Sequence, residues 1–477
     1  MEKDKAMLLS GDYNLDTLLL REGLRVTESF DIIERHLTVC KRDMCFFYID
    51  GFVKDGETLR LMQYFLSLKE ISTAGELEKI IPYVEVELTK DKAKIIHAVL
   101  SGQTAVLAES FGKEAILLDL RTYPSRQTSE PESDRVMQGA RDGFVETLVT
   151  NTALIRRRIR DTRLTMEHFE LGGSSGTDVV VCYIKGIAEE ETLSDIRKKL
   201  TRVRPSSLTL GTQSLAETLI RRGWFNPFPK IRTTERPDTA AAQLLEGSII
   251  VICDTSPLAM ILPSSIFDYL EETGDFYFPP VTGTYLRAVR VLILLLSVVI
   301  TPLWYLSIEY SHILPEGLLF ILPDKPGAVP IILQLLLAEV AIDGLKIASM
   351  NTPDILSNSL SVVGALILGD FAVDVGWLCG DVILYMAFVA IANFAQQNHE
   401  LGYAFKFMRI LTLILVFFLG IWGFFAGILL FCLAVAKNTT LSGKKKYLYP
   451  LVPFNLKDLG RLIIRRKKSD FDDTGEL

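Results

Sequence analysis

Five carboxylates lie within stretches of sequence that are otherwise apolar enough for a lipid environment. In chain order they are Glu339, Asp343, Asp370, Asp374 and Asp381. A charged side chain at the centre of a bilayer costs at least about 2.5–3.5 kcal/mol. Such side chains therefore avoid lipid and face a bundle interior, a water-filled path or a partner subunit. These five acids are the candidate ion-pathway residues.

The first two acids share a predicted helix with a cation. Segment 328–348 is long enough to span a bilayer, and Glu339, Asp343 and Lys346 fall on one face of it at helical spacing. Lys346 is three residues from Asp343 and is therefore the candidate charge partner of this group.

The other three acids have no cation close in sequence. Asp370 and Asp374 are four residues apart and share one helix face. Asp381 joins that face only if the helix is continuous, and Gly376 and Gly380 predict a break before it. Asp370 and Asp374 are therefore the stronger candidates for a cation path.

Two roles remain open for these acids. Rings of Asp or Glu in an oligomer are a common way to select cations. Alternatively, the acids bond to backbone or polar groups of neighbouring helices and only fix their packing. A non-conducting assembly or signalling subunit would use them in the second way. A proton-coupled transporter would normally show internal repeats in its membrane part, and none is recognisable.

The elements that must position these acids follow from the distribution of apolar residues. The mean hydropathy is +0.28, and nearly all long apolar runs lie within 288–436. We predict an α/β soluble N-terminal region of two subdomains, 1–125 and 135–275. An all-α transmembrane domain of four to six hydrophobic segments (288–436) and a basic cytoplasmic tail (437–477) follow.

In the first subdomain, apolar spacing predicts a helix over 14–40, and a continuous apolar run predicts a buried strand over 44–53. Two short strands at 103–109 and 114–121 read as a hairpin.

The second subdomain is predicted to contain a helix at 144–159 and strands at 178–184 and 248–253. The Gly/Ser loop 172–176 precedes a strand rather than a helix, so it is read as a turn and not a phosphate loop. Asp254 is read as part of a turn that ends a strand.

Arg156, Arg160 and Arg163 form the most basic patch before the tail. If the helix continues, they share one face. We predict a solvated or inter-subunit helix face there, which makes them candidate oligomer-interface residues.

The number of membrane crossings is left open by the apolar blocks. A first span is predicted at about 291–308. Segment 358–397 is too long for one pass. A cytoplasmic N-terminal region and tail require an even number of crossings. Either 328–348 is interfacial or re-entrant, or the last block, 408–436, is broken.

Charge and motif content exclude several classes of function. The membrane part carries ten acids against five bases, and the tail carries ten bases against five acids. This balance argues against nucleic acid, whereas the basic tail suits anionic lipid or simply enforces topology. The histidines and the six cysteines show no metal-ligand spacing, and no hydrolase or phosphate-loop motif is present. We expect no enzyme activity, no cofactor and no metal.

Three segments resemble the GerA-type spore germination proteins, A subunit. They are 141–148 (RDGFVETL), 150–159 (TNTALIRRRI) and 236–247 (RPDTAAAQLLEG). The nutrient-receptor A subunits of that family usually carry an Asp-Gly-Thr-Pro-like sequence where this chain has Asp-Thr-Ser-Pro at 254–257. Other segments, such as 302–306, resemble a branch of the family other than the nutrient-receptor A subunits.

The resemblance implies a multi-pass protein of the spore inner membrane that acts in germination through release of monovalent cations. It implies a homo-oligomeric ring, possibly a pentamer, around a central conduit, working with other spore membrane germination proteins. The large N-terminal region would be cytoplasmic.

Overall fold

The computed structural model of the chain describes 8–53, 55–70, 73–82, 85–121, 139–173, 175–202, 211–220, 226–323, 327–350, 372–396, 398–438, 440, 447–456 and 459–460. Asp370, most of the basic tail and the predicted link between the two N-terminal subdomains lie outside these ranges.

The described residues form two compact units. The first lies within Met1–Arg221 and Ile231–Pro263, and the second lies within Arg222–Lys230 and Ser264–Leu477. The first contains two β-sheets with helices and the second is helical, which confirms the predicted α/β region followed by an all-α region.

The first subdomain has nine regular elements among the described residues. They are α1 (Tyr13–Leu24), β1 (Ile32–Val39), β2 (Arg42–Ile49), α2 (Asp55–Ser67), α3 (Ala74–Ile80), β3 (Val86–Thr89), α4 (Lys92–Leu100), β4 (Thr104–Ala108) and β5 (Ala115–Leu118). The strands form an antiparallel sheet in the order β1-β2-β4-β5-β3.

Helices cover both faces of this sheet. Strand β2 is apolar on both sides, since Phe47 packs in the cluster with α1 and α4, and Phe46 packs in the cluster with α2 and α3. This explains the continuous apolar run that predicted a buried strand. The predicted hairpin at 103–109 and 114–121 is confirmed as β4 and β5, which pair antiparallel.

The prediction of one helix over 14–40 is wrong in its second half. The helix ends at Leu24, and Ile32–Val39 is the edge strand β1. Cys40 and Lys41 form the turn to β2 with φ of 50° and 64°. A turn with positive φ is usually formed by Gly or Asn. Because Cys and Lys form this one, the hairpin could not be recognised from its residue types.

The second subdomain repeats the order of helices and strands found in the first. Its elements are α5 (Leu148–Arg158), β6 (Leu164–Leu171), β7 (Thr177–Ile184), α6 (Glu190–Leu200), α7 (Thr212–Leu219), β8 (Arg232–Thr234), α8 (Pro237–Leu245), β9 (Ile249–Cys253) and β10 (Ala259–Leu262). The sheet order β6-β7-β9-β10-β8 is the order of the first sheet carried over strand by strand.

Both turn predictions in this subdomain are confirmed. The described residues of loop 172–176 connect β6 to β7, which pair antiparallel. Asp254 follows β9, and its Oδ1 accepts a hydrogen bond from the Leu148 backbone N–H at 3.0 Å. The first N–H groups of a helix have no partner within the helix, and Asp254 accepts one of them at the start of α5. This hydrogen bond explains why a carboxylate follows the buried strand β9.

A buried arginine links the two subdomains. Arg156 on α5 is fully buried and donates from Nε to Asp31 Oδ2 at 2.8 Å, and from Nη2 to Asp31 Oδ1 at 3.0 Å. The same Nη2 also donates to Ser29 Oγ and to the Leu164 carbonyl oxygen, both at 3.1 Å. Residues 29–31 precede β1, so this network joins the first subdomain to the second.

The structure corrects the prediction that Arg156, Arg160 and Arg163 form one interface face. Helix α5 ends at Arg158, so the last two lie beyond it. Arg160 is exposed, and Arg163 pairs with the nearby Asp161. Arg156 is buried and bonded to Asp31, because a buried guanidinium must be paired. It is therefore not on a surface.

The second unit contains the apolar helices. They are α9 (Gly274–Tyr277), α10 (Pro280–Glu309), α11 (Ile331–Met350), α12 (Ala372–Asp374), α13 (Gly380–Phe394), α14 (His399–Leu419) and α15 (Ile421–Ala436). Two of these in the described part, α10 and α14, are long and apolar enough to cross a membrane, and α13 and α15 are shorter apolar helices. The last apolar block is broken at Gly420, one of the two alternatives left open by the sequence.

Helices α14 and α15 pack with almost no space between them. A Cβ added to Gly423 would lie 2.0 Å from the Leu415 carbonyl oxygen, and one added to Gly427 would lie 2.5 Å from Thr412 Oγ1. Small residues at this spacing allow close helix contact.

The Arg156 network generates the first prediction. We expect Arg156→Ala to destabilise the first unit by about 3–5 kcal/mol, since it leaves the Asp31 carboxylate buried and unpaired. Arg163→Ala, which removes an exposed arginine, should cost about 0–1 kcal/mol. Thermal unfolding of the purified full chain in detergent compares them. Equal unfolding temperatures for the two variants would contradict this role.

The contact between α14 and α15 generates the second. Gly427→Ala should lower the unfolding temperature, because the methyl group overlaps Thr412. Gly344→Ala on α11 is the matched control, since a Cβ there meets nothing within 4 Å. That control should be neutral or stabilising, because Ala favours a helix over Gly by about 1 kcal/mol. A harmless Gly427→Ala would show that the helices are not in tight contact.

Candidate functional site

Two helices of the second unit bring four charges together. Glu339 and Asp343 lie one turn apart on α11, and Lys406 and Arg409 lie at i and i+3 on α14. The spacing on each helix places both members of each pair on the face that meets the other helix.

Direct contacts join the four groups. Arg409 Nε donates to Glu339 Oε1 at 2.7 Å, and Lys406 Nζ lies 3.2 Å from Glu339 Oε2. Lys406 also forms an ion pair with Asp343 and donates to the Glu339 carbonyl oxygen at 3.3 Å. Arg409 Nη1 donates to the Ser297 carbonyl oxygen of α10 at 3.3 Å, so three helices meet here.

This charge network is neutral, and its members are buried except for the half-buried Asp343. Glu339 is 5% exposed, Lys406 is 4% exposed and Arg409 is fully buried. Two acids face two cations, so the formal charges cancel. Buried charges are tolerated only when paired and hydrogen-bonded, and that requirement is met here. Glu339 and Asp343 therefore do not give the candidate ion pathway a net negative charge.

The structure corrects the choice of Lys346 as the charge partner. Its Nζ lies over the rings of Tyr403 at 5.1 Å and Phe394 at 6.0 Å, measured to the ring centroids. The cations that contact Glu339 and Asp343 come from α14. Lys346 lies one turn further along α11 from the network, where aromatic faces attract its ammonium group.

The predicted break near Gly376 is confirmed. Helix α12 ends at Asp374, Gly376 has a φ of 77°, and α13 begins at Gly380. The fully buried Gln334 of α11 fixes this turn, because its Oε1 accepts from the Cys379 backbone N–H at 2.8 Å. The non-helical backbone at the break is therefore bonded to its neighbours.

The remaining candidate acids lie on either side of the break. Asp374 is exposed at the end of α12, and Asp381 is half-buried in the first turn of α13. The helix is not continuous, so Asp381 does not extend the helical stripe of Asp374. Neither forms an ion pair with a described residue. Asp370, the third acid of this group, lies outside the described residues.

Sequence reasoning missed Lys406, Arg409 and Gln334. The two cations had a recognisable signal, because they are charges at i and i+3 next to an apolar block, like the acids. Their pairing could not be read from the sequence, since Arg409 is 70 residues from Glu339. Gln334 is a single neutral residue in an apolar helix and carried no such signal.

The fold and the charge network define a class of protein: a chain with a two-sheet α/β region and a helical unit, in which buried ion pairs join apolar helices. The family model described as Bacillus/Clostridium GerA spore germination protein matches residues 20–474. The chain belongs to the GerA family of spore germination proteins.

Two relatives from Bacillus subtilis (strain 168) match over nearly the whole chain. Stage V sporulation protein AF is 35% identical over 447 residues, covering 92% of this chain and 90% of that protein. Spore germination protein KA is 28% identical over 467 residues, covering 95% and 84%. The higher identity to the sporulation protein agrees with the segments that set this chain apart from the nutrient-receptor A subunits.

One solved structure also matches. It is the crystal structure of the N-terminal domain of the A subunit of the Bacillus megaterium spore germinant receptor GerK3. It is 25% identical with a TM-score of 0.41, and it covers 53% of this chain and 95% of that one.

The charge network generates the third prediction. Glu339→Gln and Arg409→Met should each lower the unfolding temperature in detergent, because each leaves a buried charge with fewer partners. The double variant should be less destabilised than the sum of the two, with a coupling of about 0.5–3 kcal/mol. Glu316→Gln, which changes an exposed acid, is the control. Fully additive effects would argue against direct pairing of Glu339 with Arg409.

Proposed function

We propose that this GerA-family chain forms a homo-oligomeric ring, possibly of five copies, in the spore inner membrane. The ring conducts monovalent cations during germination, with the N-terminal unit in the cytoplasm, and acts with other spore membrane germination proteins. The role is non-enzymatic and needs no cofactor for conduction. Family membership supports the germination context, and the geometry of the helical unit supports the conducting role.

The observation that carries this proposal is the placement of Asp374 and Asp381 at a helix break. Non-helical backbone at membrane depth is tolerated only where it is buried in protein or lines water. Glu339 and Asp343 are neutralised by cations of α14, whereas Asp374 and Asp381 have no ion-pair partner among the described residues. Of the four candidate acids that the structure describes, the two at the break are therefore the ones without a paired cation.

An oligomer would increase the effect of these acids. One copy presents two described acids at the break, but a ring repeats them around an axis and creates a field that favours cations. The same turn exposes large apolar side chains, since Val375 is 67% exposed and Trp377 is 65% exposed. A neighbouring copy would cover such residues. The basic tail would contact anionic lipid headgroups.

The second candidate is a non-conducting assembly or signalling subunit. The neutral network of Glu339 and Asp343 with Lys406 and Arg409 favours this reading for those two acids, because they serve packing. If Asp374 and Asp381 also contact a partner protein, no conduit is needed.

The fourth prediction tests conduction. We expect Asp374→Asn with Asp381→Asn to lower potassium release in germinating spores, while membrane insertion and assembly are preserved. Neutral Asn retains the shape and removes the charge that attracts cations. Glu309→Gln with Glu316→Gln, two exposed acids of the same unit, should leave release unchanged. Normal release in the Asp374/Asp381 variant would remove these acids from the ion path.

Reconstitution separates the two candidates. The purified oligomer is placed in liposomes, and conductance is measured for the natural chain and for both double variants. Cation conductance that falls only in the Asp374/Asp381 variant supports the channel. Assembly without conductance, alone or with the other germination components, supports the scaffold.

A further inference from the structure

A cluster of three metal-ligating side chains lies on the first sheet, far in sequence from the charge network. Glu34 and His36 are two residues apart on β1 and therefore point to the same face. Cys45 on β2 is the residue directly opposite His36 in the antiparallel register. The hairpin thus brings a carboxylate, an imidazole and a thiol to one place.

The donor atoms of this cluster are close enough to share one ion. One ligand atom from each residue lies within 4.8 Å of the other two. His36 Nε2 is 2.8 Å from Glu34 Oε1, and Cys45 Sγ is 3.9 Å from that same oxygen. Donor atoms that bind one tetrahedral ion at metal–ligand distances of about 2.0–2.3 Å are separated from each other by a few ångströms. The separations between these three donor atoms are of that size.

Helix α1 covers the cluster with polar side chains at helical spacing. Arg21 Nε donates to Glu34 Oε2 at 2.6 Å, which leaves Oε1 directed toward the other two ligands. The hydroxyl oxygens of Tyr13 and Thr17, four residues apart on this helix, are buried, and Tyr13 interacts with the Thr17 hydroxyl and with Cys45.

The second sheet provides an internal comparison. Counted from the first residue of each paired hairpin, His168 on β6 corresponds to His36 and faces Val180 on β7. Met166 corresponds to Glu34. The repeated topology therefore retains a histidine without the other two ligands, so the fold itself does not require a Glu, His and Cys cluster.

We propose that Glu34, His36 and Cys45 bind one Zn²⁺ ion through Oε1, Nε2 and Sγ, with a water molecule as the fourth ligand. Cysteine sulfur, imidazole nitrogen and carboxylate oxygen are each ligand types that Zn²⁺ accepts. Binding releases the Cys45 thiol proton to solvent and bridges the edge strand β1 to β2. Arg21 is a positioning residue, because it holds the Glu34 carboxylate without reaching the ion.

The fifth prediction tests this site with Co²⁺, which reports thiolate ligation by its charge-transfer absorption. The full chain, purified in detergent with reductant and freed of metal, should bind one Co²⁺ with that absorption, and Zn²⁺ should displace it. Cys45→Ser should abolish the absorption. His36→Gln should weaken Zn²⁺ binding at least about tenfold in a chelator competition.

Two controls use positions that the proposal leaves out. Cys40→Ser changes an exposed thiol in the turn of the same hairpin, and His168→Gln changes the corresponding histidine of the second sheet. Both should bind Co²⁺ as the natural chain does. If Cys45→Ser fails to fold, His36→Gln and Glu34→Gln decide, since Zn²⁺ should raise the unfolding temperature of the natural chain but not of these variants.

Two outcomes would contradict the proposed zinc site. The site is excluded if the natural chain shows no thiolate absorption with Co²⁺, or if the absorption is lost in Cys40→Ser and kept in Cys45→Ser. The cluster would then be a His36–Glu34–Arg21 ion-pair network beside a buried thiol.

Discussion

The helical unit depends on the pairing of charges that cannot be left alone in an apolar environment. Glu339 on α11 meets Lys406 and Arg409 on α14, and Arg409 also bonds to the backbone of α10. An unpaired charge at this place would favour separation of the helices or entry of water. The acids of α11 and the cations of α14 each offset the cost of burying the other. This one set of contacts therefore fixes how α10, α11 and α14 are aligned with one another.

This pairing also divides the acidic residues into two functional groups. The acids of α11 are paired with cations of α14, whereas Asp374 and Asp381 at the break have no ion-pair partner among the described residues. The broken segment is itself held in place by Gln334, so its irregular backbone is a built feature of the unit. Negative charge is thus retained at one place and cancelled at another within the same bundle.

Much of the architecture could be predicted from the sequence, because apolar runs and glycines report it locally. The break at Gly376 and the buried strand β2 are examples. The errors in charge pairing share one cause, namely that pairing across the chain is not encoded in spacing. Arg156 has the sequence context of a basic surface, but its partner Asp31 is 125 residues away. Lys346 was chosen because it is three residues from Asp343, whereas the contacting Lys406 is 63 residues away. Cys45 showed no metal spacing because its neighbours lie on another strand, in a segment predicted as helix.

The close contact of Gly423 and Gly427 with α14 has a mechanical consequence. The backbones of α14 and α15 meet directly at Gly423, and the side chain of Thr412 is the close neighbour at Gly427, so the two helices have little room to slide against each other. Lys406 and Arg409 are carried on α14, so a rotation that separated them from Glu339 would have to carry α15 as well. We therefore expect a displacement of α15 to shift α14 and, with it, the two cations of the buried ion pairs.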